Sequence, residues 1–267
     1  MAIGLLIIGD EILSGKRADR HLAKLIELLS TRGMQLSWAE YIGDDPARIT
    51  ATLQRSFASR DIVFSCGGIG ATPDDHTRRC AAAALGLPLV LHPGAKEKIQ
   101  ERIADMARTE GKEPQLDAPE NLHRLKMGEF PQGAQLIPNP YNKIPGFSIA
   151  HPEEGAHYFL PGFPVMAGPM MEWVLDTIYP HLFHKSTNIE KSVFTLNAME
   201  SALTPLMEQI EAEFGLVKVF SLPHVGDART EAHIELGVKG DSIQVESAFQ
   251  TLLSGLDARH VRYRMSL

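Results

Sequence analysis

Short apolar runs alternate with amphipathic stretches along the first half of the chain. Ile3–Gly9 reads as a buried strand. Asp19–Thr31 then places Leu22, Leu25, Ile26 and Leu29 on one helical face and stops at Gly33. Leu36–Ile42 predicts a second strand. Pro46–Ser59 predicts a second helix, with Ile49, Leu53 and Phe57 on one face and Asp45-Pro46 as its cap and first turn. Asp61–Cys66 is a third strand, apolar after its first residue, and Pro73–Leu85 a third helix ended by Gly86. Strands alternating with helices of this length indicate βαβ units and a parallel sheet covered on both faces.

After Gly86 the pattern loosens. Gly94–Thr109 predicts a helix, and Pro114 to Pro138 is broken by prolines. Gln135–Ile137, Phe147–Ala150 and His157–Leu160 read as strands, and Pro164–Tyr179 as a helix. A polar stretch, His184–Glu190, has the character of a linker. Beyond it Ser192–Met199 predicts a strand, Ala202–Phe214 a helix, Val217–Leu222 and Thr230–Gly237 strands, and Ile243–Leu256 a helix. The expectation is an α/β domain over residues 1–182, a three-layer α/β/α arrangement around a mostly parallel sheet. A small α+β domain over 190–267 follows it.

Composition narrows the class without naming the chemistry. The chain is 44% hydrophobic and 22% charged, as in an ordinary globular protein. The apolar run Ile3–Gly9, seven residues, is far below the roughly 20 that span a membrane. No basic leader precedes it, and two cysteines build neither a disulfide framework nor a zinc knuckle, so a cytoplasmic protein is expected. The net charge is −7, and no Lys/Arg cluster offsets it, so neither a membrane nor nucleic acid is an expected partner. Any phosphorylated ligand must be held by backbone amides, local cations or a metal.

In an open α/β sheet, ligands sit outside the carboxyl ends of the strands. One such end reads Ser65-Cys66-Gly67-Gly68-Ile69-Gly70-Ala71-Thr72-Pro73-Asp74-Asp75-His76-Thr77. Its three glycines permit close approach of backbone to a ligand, and the helix after them turns free N–H groups toward the crevice. It is neither a P-loop nor Gly-x-Gly-x-x-Gly. Thr72, Pro73 and Asp75 equally match an N-cap, a first-turn proline and a capping-box acid. Two carboxylates beside an anion loop would repel phosphate unless a cation lies between them, which favours a bridging metal. Asp10-Glu11, after the first strand, offers a second acidic pair suited to Mg²⁺, Mn²⁺, Co²⁺ or Ni²⁺, although a solvated turn explains it as well. The neighbouring Gly9…Gly15-Lys16 fails as a Walker motif because Arg17 stands where Ser or Thr must be. Asp44-Asp45 is weaker, Asp45 being a helix cap. Asn139-Pro140-Tyr141-Asn142-Lys143-Ile144-Pro145-Gly146-Phe147 and Leu160-Pro161-Gly162-Phe163-Pro164 place Pro-Gly beside strands, and Lys143 offers a local positive charge.

Gly-Asp-Glu-x-Leu-x-Gly, Gly-Gly-x-Gly with Asp-x-Thr, Asn-Pro…Pro-Gly-Phe and Leu-Pro-Gly-x-Pro occur here in one order. Together they resemble the MoaB/MogA-like molybdopterin-binding domain found in the N-terminal part of CinA-like proteins. The resemblance covers about residues 1–180, and the trailing module is similar to the small KH-type domain of the same proteins. It implies a phosphate- or pterin-binding pocket. Gly67, Gly68 and Gly70 would form the anion loop, with Asp75, Asp74 and Thr77 as catalytic residues. Asp10, Glu11 and Asp75 would meet a divalent metal, and Asn139, Lys143, Pro145, Gly146, Pro161 and Gly162 would close the pocket on a phosphorylated ligand. His21, Asn142-Lys143-Ile144 and Ala71 depart from the residues usual in CinA-like sequences. The chain stops before the deamidase domain of full-length CinA, so nicotinamide mononucleotide deamidation is expected to be absent. The activity implied is metal-dependent hydrolysis of a dinucleotide pyrophosphate such as ADP-ribose or FAD, by a homo-oligomer. The alternatives are a molybdopterin-binding or adenylylating protein of molybdenum cofactor biosynthesis, and a non-catalytic nucleotide- or pterin-binding protein.

Overall fold

The computed structural model describes residues 2–150, 155–185, 188–196, 198–226 and 231–266. The chain divides into two compact units, Met1–Phe183 and His184–Leu267.

The larger unit runs β1 (Ile3–Ile8), α1 (Asp10–Leu13), α2 (His21–Ser30), β2 (Trp38–Ile42), α3 (Pro46–Ala58), β3 (Ile62–Cys66) and α4 (Thr77–Leu85). It continues through β4 (Leu89–Leu91), α5 (Pro93–Thr109), α6 (Pro119–Leu125), β5 (Glu129–Pro131), β6 (Gln135–Ile137), β7 (Gly146–Ala150), β8 (Ala156–Leu160) and α7 (Pro164–Ile178). Six strands form one sheet in the order β2-β1-β3-β8-β7-β6. The pairs from β2 to β8 are parallel, and β7 and β6 add antiparallel strands at one edge. The sheet is therefore mixed but mostly parallel. From β1 the chain crosses to β2 on one side and then to β3 on the other. The sheet thus has its topological switch between β1 and β3, where a crevice opens at the carboxyl ends.

Side chains alternate across the sheet and fill two cores. Leu5, Ile7, Phe64 and Tyr158 face Leu25 and Leu29 of α2 and Met170 and Val174 of α7. Leu6, Ile8, Phe147 and Phe159 face Leu53 of α3, Ala81 of α4 and Ala95 of α5. This is the three-layer α/β/α arrangement. Phe147 and Phe159 lie opposite each other on β7 and β8, stacked with centroids 4.4 Å apart, and Phe130 continues the stack at 4.6 Å. Each fully buried phenylalanine contributes about 1.5–3 kcal/mol of transfer free energy, and the stack joins the antiparallel edge to the parallel sheet.

Several boundaries differ from the sequence expectation. The third helix begins at Thr77 rather than Pro73, because Thr72 and Asp75 close a separate turn before it. Asp10 and Glu11 open the one-turn helix α1 instead of lying in an irregular turn. The proline-broken region contains α6, and β4 pairs with β5.

The smaller unit runs β9 (Asn188–Leu196), α8 (Glu200–Glu213), β10 (Val217–His224), β11 (His233–Asp241), α9 (Ser242–Ala258) and β12 (Arg262–Arg264). Its antiparallel sheet has the order β10-β11-β9-β12, and Leu203, Leu206 and Ile210 of α8 meet Phe249 and Leu252 of α9 over it. β9 begins inside the stretch read as a linker. Thr230, expected to open a strand, and Asn197, expected inside one, lie outside the described residues.

Candidate functional site: a glycine-loop cleft at the sheet switch point

β1, β3 and β8 are adjacent and parallel, so the turns after Ile8, Cys66 and Leu160 meet at one edge of the sheet. They enclose a cleft of about 640 Å³, within the range of small-molecule sites. Three glycine-rich segments form its base: Gly9 after β1, Gly67–Gly70 after β3 and Pro161-Gly162 after β8. A Cβ on Gly67 would lie 2.0 Å from the Ile8 carbonyl oxygen, and φ there is +110°. At Gly68 it would lie 2.2 Å from Thr77 Oγ1, with φ +67°. No other residue type fits either position.

The loop is held from behind by α4. The Thr77 hydroxyl donates to the Gly67 carbonyl at 3.0 Å, and the Thr77 amide to the Gly68 carbonyl at 3.0 Å. Arg78, buried, donates through Nη2 to the Gly70 carbonyl at 2.6 Å. In a planar trans peptide the next N–H points opposite to the C=O. With carbonyls 67, 68 and 70 drawn toward α4, the amides of Gly68, Ile69 and Ala71 point away from it, and all three residues line the cleft. Among the described residues none of these amides has a protein acceptor. Such a nest of donors suits an anion. Gly67 is different: its amide donates to the Leu160 carbonyl at 3.0 Å and extends the β3–β8 ladder. Its part is steric, and Ile69 and Ala71, which carry no sequence signal of their own, supply amides instead.

Thr77 was expected to be catalytic, but it is fully buried behind the loop with its hydroxyl donated to Gly67. The structure places it as a support behind the loop and not in the cleft lining. Asp75 lies at the cleft, where its Oδ2 accepts from the Thr72 amide at 2.8 Å and the Thr72 hydroxyl at 2.5 Å. Its Oδ1 has no protein donor among the described residues. Asp75 thus closes the turn with one oxygen and is also among the residues that line the cleft. Asp74 is exposed at the mouth.

On the β1 side the Asp10 amide donates to Asp44 Oδ2 at 2.9 Å, and the Asp44 amide to Asp10 Oδ1 at 3.2 Å. This reciprocal pair ties α1 to the turn after β2 and gives Asp44 a structural reason that its sequence context lacked. Burial pushes the Asp44 carboxyl above the usual carboxylate range, and the charges of Asp10, Glu11 and Asp74 push the same way. Glu11 lines the glycine-loop cleft, whereas Asp10 lies in the adjoining groove. Among the described residues no three His, Cys, Asp or Glu side chains are gathered to hold a metal by themselves, so Asp10, Glu11 and Asp75 do not form a closed ligand set. Mg²⁺ commonly takes one or two carboxylates and completes its shell with substrate phosphates and water. The acidic wall fits a cation of that kind.

A family model described as "Probable molybdopterin binding domain" matches residues 4–184. The chain belongs to this molybdopterin-binding-domain family. It is also 31% identical over 237 residues to a CinA-like protein of Syntrophotalea carbinolica, covering 89% of this chain and 50% of that one. To a CinA-like protein of Anaeromyxobacter dehalogenans it is 34% identical over 183 residues, 68% of this chain and 42% of the relative. The chain thus spans about half the length, or less, of these curated relatives. A crystal structure of the protein CinA from Thermoplasma acidophilum, its function unknown, superposes with a TM-score of 0.56 at 24% identity, over 66% of this chain and 98% of that one. That likeness supports the fold.

In this molybdopterin-binding-type domain the residues expected to close the pocket divide. Pro145, Pro161 and Gly162 line the cleft. Gly146 is buried beneath it, where a Cβ would meet the Phe159 carbonyl at 2.4 Å. Asn139 reaches the wall but uses its side chain to fold the loop, donating to Asn142 Oδ1 at 2.8 Å and the Ile144 carbonyl at 3.0 Å. Lys143 is absent from the cleft lining: with φ +66° it turns to α5, where its Nζ meets Asp105 Oδ2 at 2.5 Å. The cations lining the cleft are Lys16 and Arg17, which the failed Walker comparison had set aside. His21 is buried at the start of α2 with Nδ1 2.8 Å from Asp19 Oδ1, and it is absent from the cleft lining.

Proposed function

We propose that the cleft binds a phosphorylated heterocyclic ligand and cleaves a dinucleotide pyrophosphate such as ADP-ribose or FAD with the help of a divalent cation. The observation that carries this reading is the pairing, in one cleft, of unpartnered amides at Gly68, Ile69 and Ala71 with the carboxylates of Glu11, Asp44 and Asp75. Amides alone suit a single phosphate. Carboxylates beside them call for a cation, and a pyrophosphate is the group that would bridge both walls. A divalent ion bound there would neutralise phosphate charge and lower the pKa of an attacking water. The loop amides would hold the phosphate oxygens as charge builds on them. Water adds to one phosphorus, the bridging P–O bond breaks, and ADP-ribose gives AMP and ribose 5-phosphate.

Membership of the molybdopterin-binding family supports a second reading with equal weight, in which the same amides hold a pterin phosphate and the protein binds or adenylylates molybdopterin. Both place a phosphate on the glycine loop and differ in what attacks phosphorus. No described helix is long and apolar enough to cross a membrane. A homo-oligomer in the cytoplasm, where Cys66 and Cys80 stay reduced, belongs to this reading.

The deciding experiment measures AMP release from ADP-ribose and FAD with Mg²⁺, Mn²⁺, Co²⁺ or Ni²⁺, in the native chain and in Asp75→Asn. Metal-dependent turnover that disappears in the variant is expected. Absence of turnover with every metal, together with thermal stabilisation by a pterin, would transfer the assignment to the second reading.

A further inference from the structure

Phe163 lines the cleft and is 51% exposed. Most large apolar side chains of the first unit are buried, so an exposed ring at a cleft mouth invites a partner. Its position is fixed by backbone: the Phe163 carbonyl accepts from the Met166 and Ala167 amides, both at 2.9 Å, and so starts α7. Directly before it, Gly162 passes so near the anion loop that a Cβ there would lie 3.4 Å from the Gly67 Cα. The ring is therefore held one residue away from contact with the phosphate cradle. Ile144 and Met166 supply apolar surface on the same wall. Arg17 lies over the ring with its guanidinium carbon 5.8 Å from the centroid, and its amide donates to the Glu11 carbonyl at 3.0 Å.

The geometry points to Phe163 and Arg17 as a stacking clamp for the flat heterocycle of the ligand, a purine or a pterin, whose phosphate lies on the glycine loop. This rests on the proposed phosphate site and adds the ring-recognising half of the cleft. A ring sandwiched between two planar groups needs two stacking intervals of about 3.5 Å, or about 7 Å in all. Arg17 is exposed and hydrogen-bonded only through its backbone among the described residues, so its side chain can open the gap by the small extra distance. Stacking of this type tolerates any planar heterocycle, so the phosphate-to-ring spacing, and not the identity of the base, would set preference.

Isothermal titration in Mg²⁺ tests the clamp with three kinds of probe: AMP, with ring and phosphate; ribose 5-phosphate, with phosphate alone; and adenosine and neopterin, with rings alone. Phe163→Ala is expected to weaken AMP, adenosine and neopterin about tenfold and to leave ribose 5-phosphate unchanged, a loss within the usual range for base–aromatic stacking. Phe163→Trp should restore binding. Because the side chain is exposed, the fold is expected to survive, and an unchanged melting temperature checks this. Equal weakening of AMP and ribose 5-phosphate would mean that Phe163 only shapes the loop, overturning the clamp. Adenosine and neopterin losses in the variant, with no ribose 5-phosphate binding to the native chain, would uphold the clamp and reject the phosphate site. Native protein that binds none of the probes would overturn both.

Discussion

Replacing Thr77 by valine keeps the shape of a fully buried side chain and removes one hydroxyl. The structural consequence falls on the Gly67 carbonyl, which is itself buried and, among the described residues, accepts only from Thr77 Oγ1, at 3.0 Å. No cavity forms, so the cost is that of a buried carbonyl left without a donor, about 1–3 kcal/mol. For a unit of this size, at about 2–4 °C per kcal/mol, a central cost of about 2 kcal/mol lowers the melting temperature by about 4–8 °C. Thr77→Ser, which retains the hydroxyl and loses a methyl, should cost about 0.8 kcal/mol. Both tryptophans, Trp38 and Trp173, lie in the first unit, so their fluorescence follows its thermal unfolding. A valine variant as stable as the native chain, yet unable to turn over substrate, would refute the positioning role and return Thr77 to the catalytic set.

Two further outcomes follow from the same geometry. Burial opposes the charge on Asp19, but bonds from the His21 and Leu22 amides, the His21 ring and Tyr41 Oη hold its carboxyl below the usual range. A depressed carboxylate contributes stability above its unfolded pKa and loses it as pH falls through the folded value. The native melting temperature should therefore drop on acidification below about pH 4, and Asp19→Asn, measured by fluorescence melting from pH 6 to 2.5, should start lower and show a shallower drop. Lys143→Ala should leave AMP affinity unchanged by titration calorimetry, because its amine serves Asp105, whereas Lys16→Ala should weaken it up to about fivefold, the scale of an exposed ionic contact. The reverse ranking would mean that the loop carrying Lys143 swings into the cleft on binding.

The parallel strands were legible because β1 and β3 are covered on both faces, which writes them as unbroken apolar runs. Helix α2 was legible from its apolar stripe, although Ile26, read as part of that stripe, is exposed and Leu28 is buried instead. The start of α4 was not, since Thr72-x-x-Asp75 is the same local signal whether a helix follows at once or after a turn. β4 carries Val90 and Leu91 partly exposed and is only three residues long, so it leaves no alternation to read. β12, Arg-Tyr-Arg, pairs with the end of β9 and sets one residue, Tyr263, against the core, which leaves no apolar pattern to read.

The glycine loop was legible for a related reason: two positive φ angles and two close approaches, to the Ile8 carbonyl and the Thr77 hydroxyl, leave glycine no substitute. Which of its atoms meet a ligand was not, because hydrogen bonds to Thr77, Arg78 and Leu160 decide the direction of each peptide. Charge was the least legible property, since sequence gives a side chain's sign but not its direction. The glycine-loop cleft gathers four carboxylates, Glu11, Asp44, Asp74 and Asp75, against two cations, Lys16 and Arg17. A bare pyrophosphate would enter a field of its own net sign and depend on three amides, Lys16 and Arg17 to overcome it. Under the proposed reading the same pyrophosphate would carry a divalent cation with those carboxylates as ligands, and the repulsion that adds to burial in raising Asp44 would become attraction. Under the proposed reading, the arrangement therefore favours a metal that enters with its substrate over one held permanently by the protein.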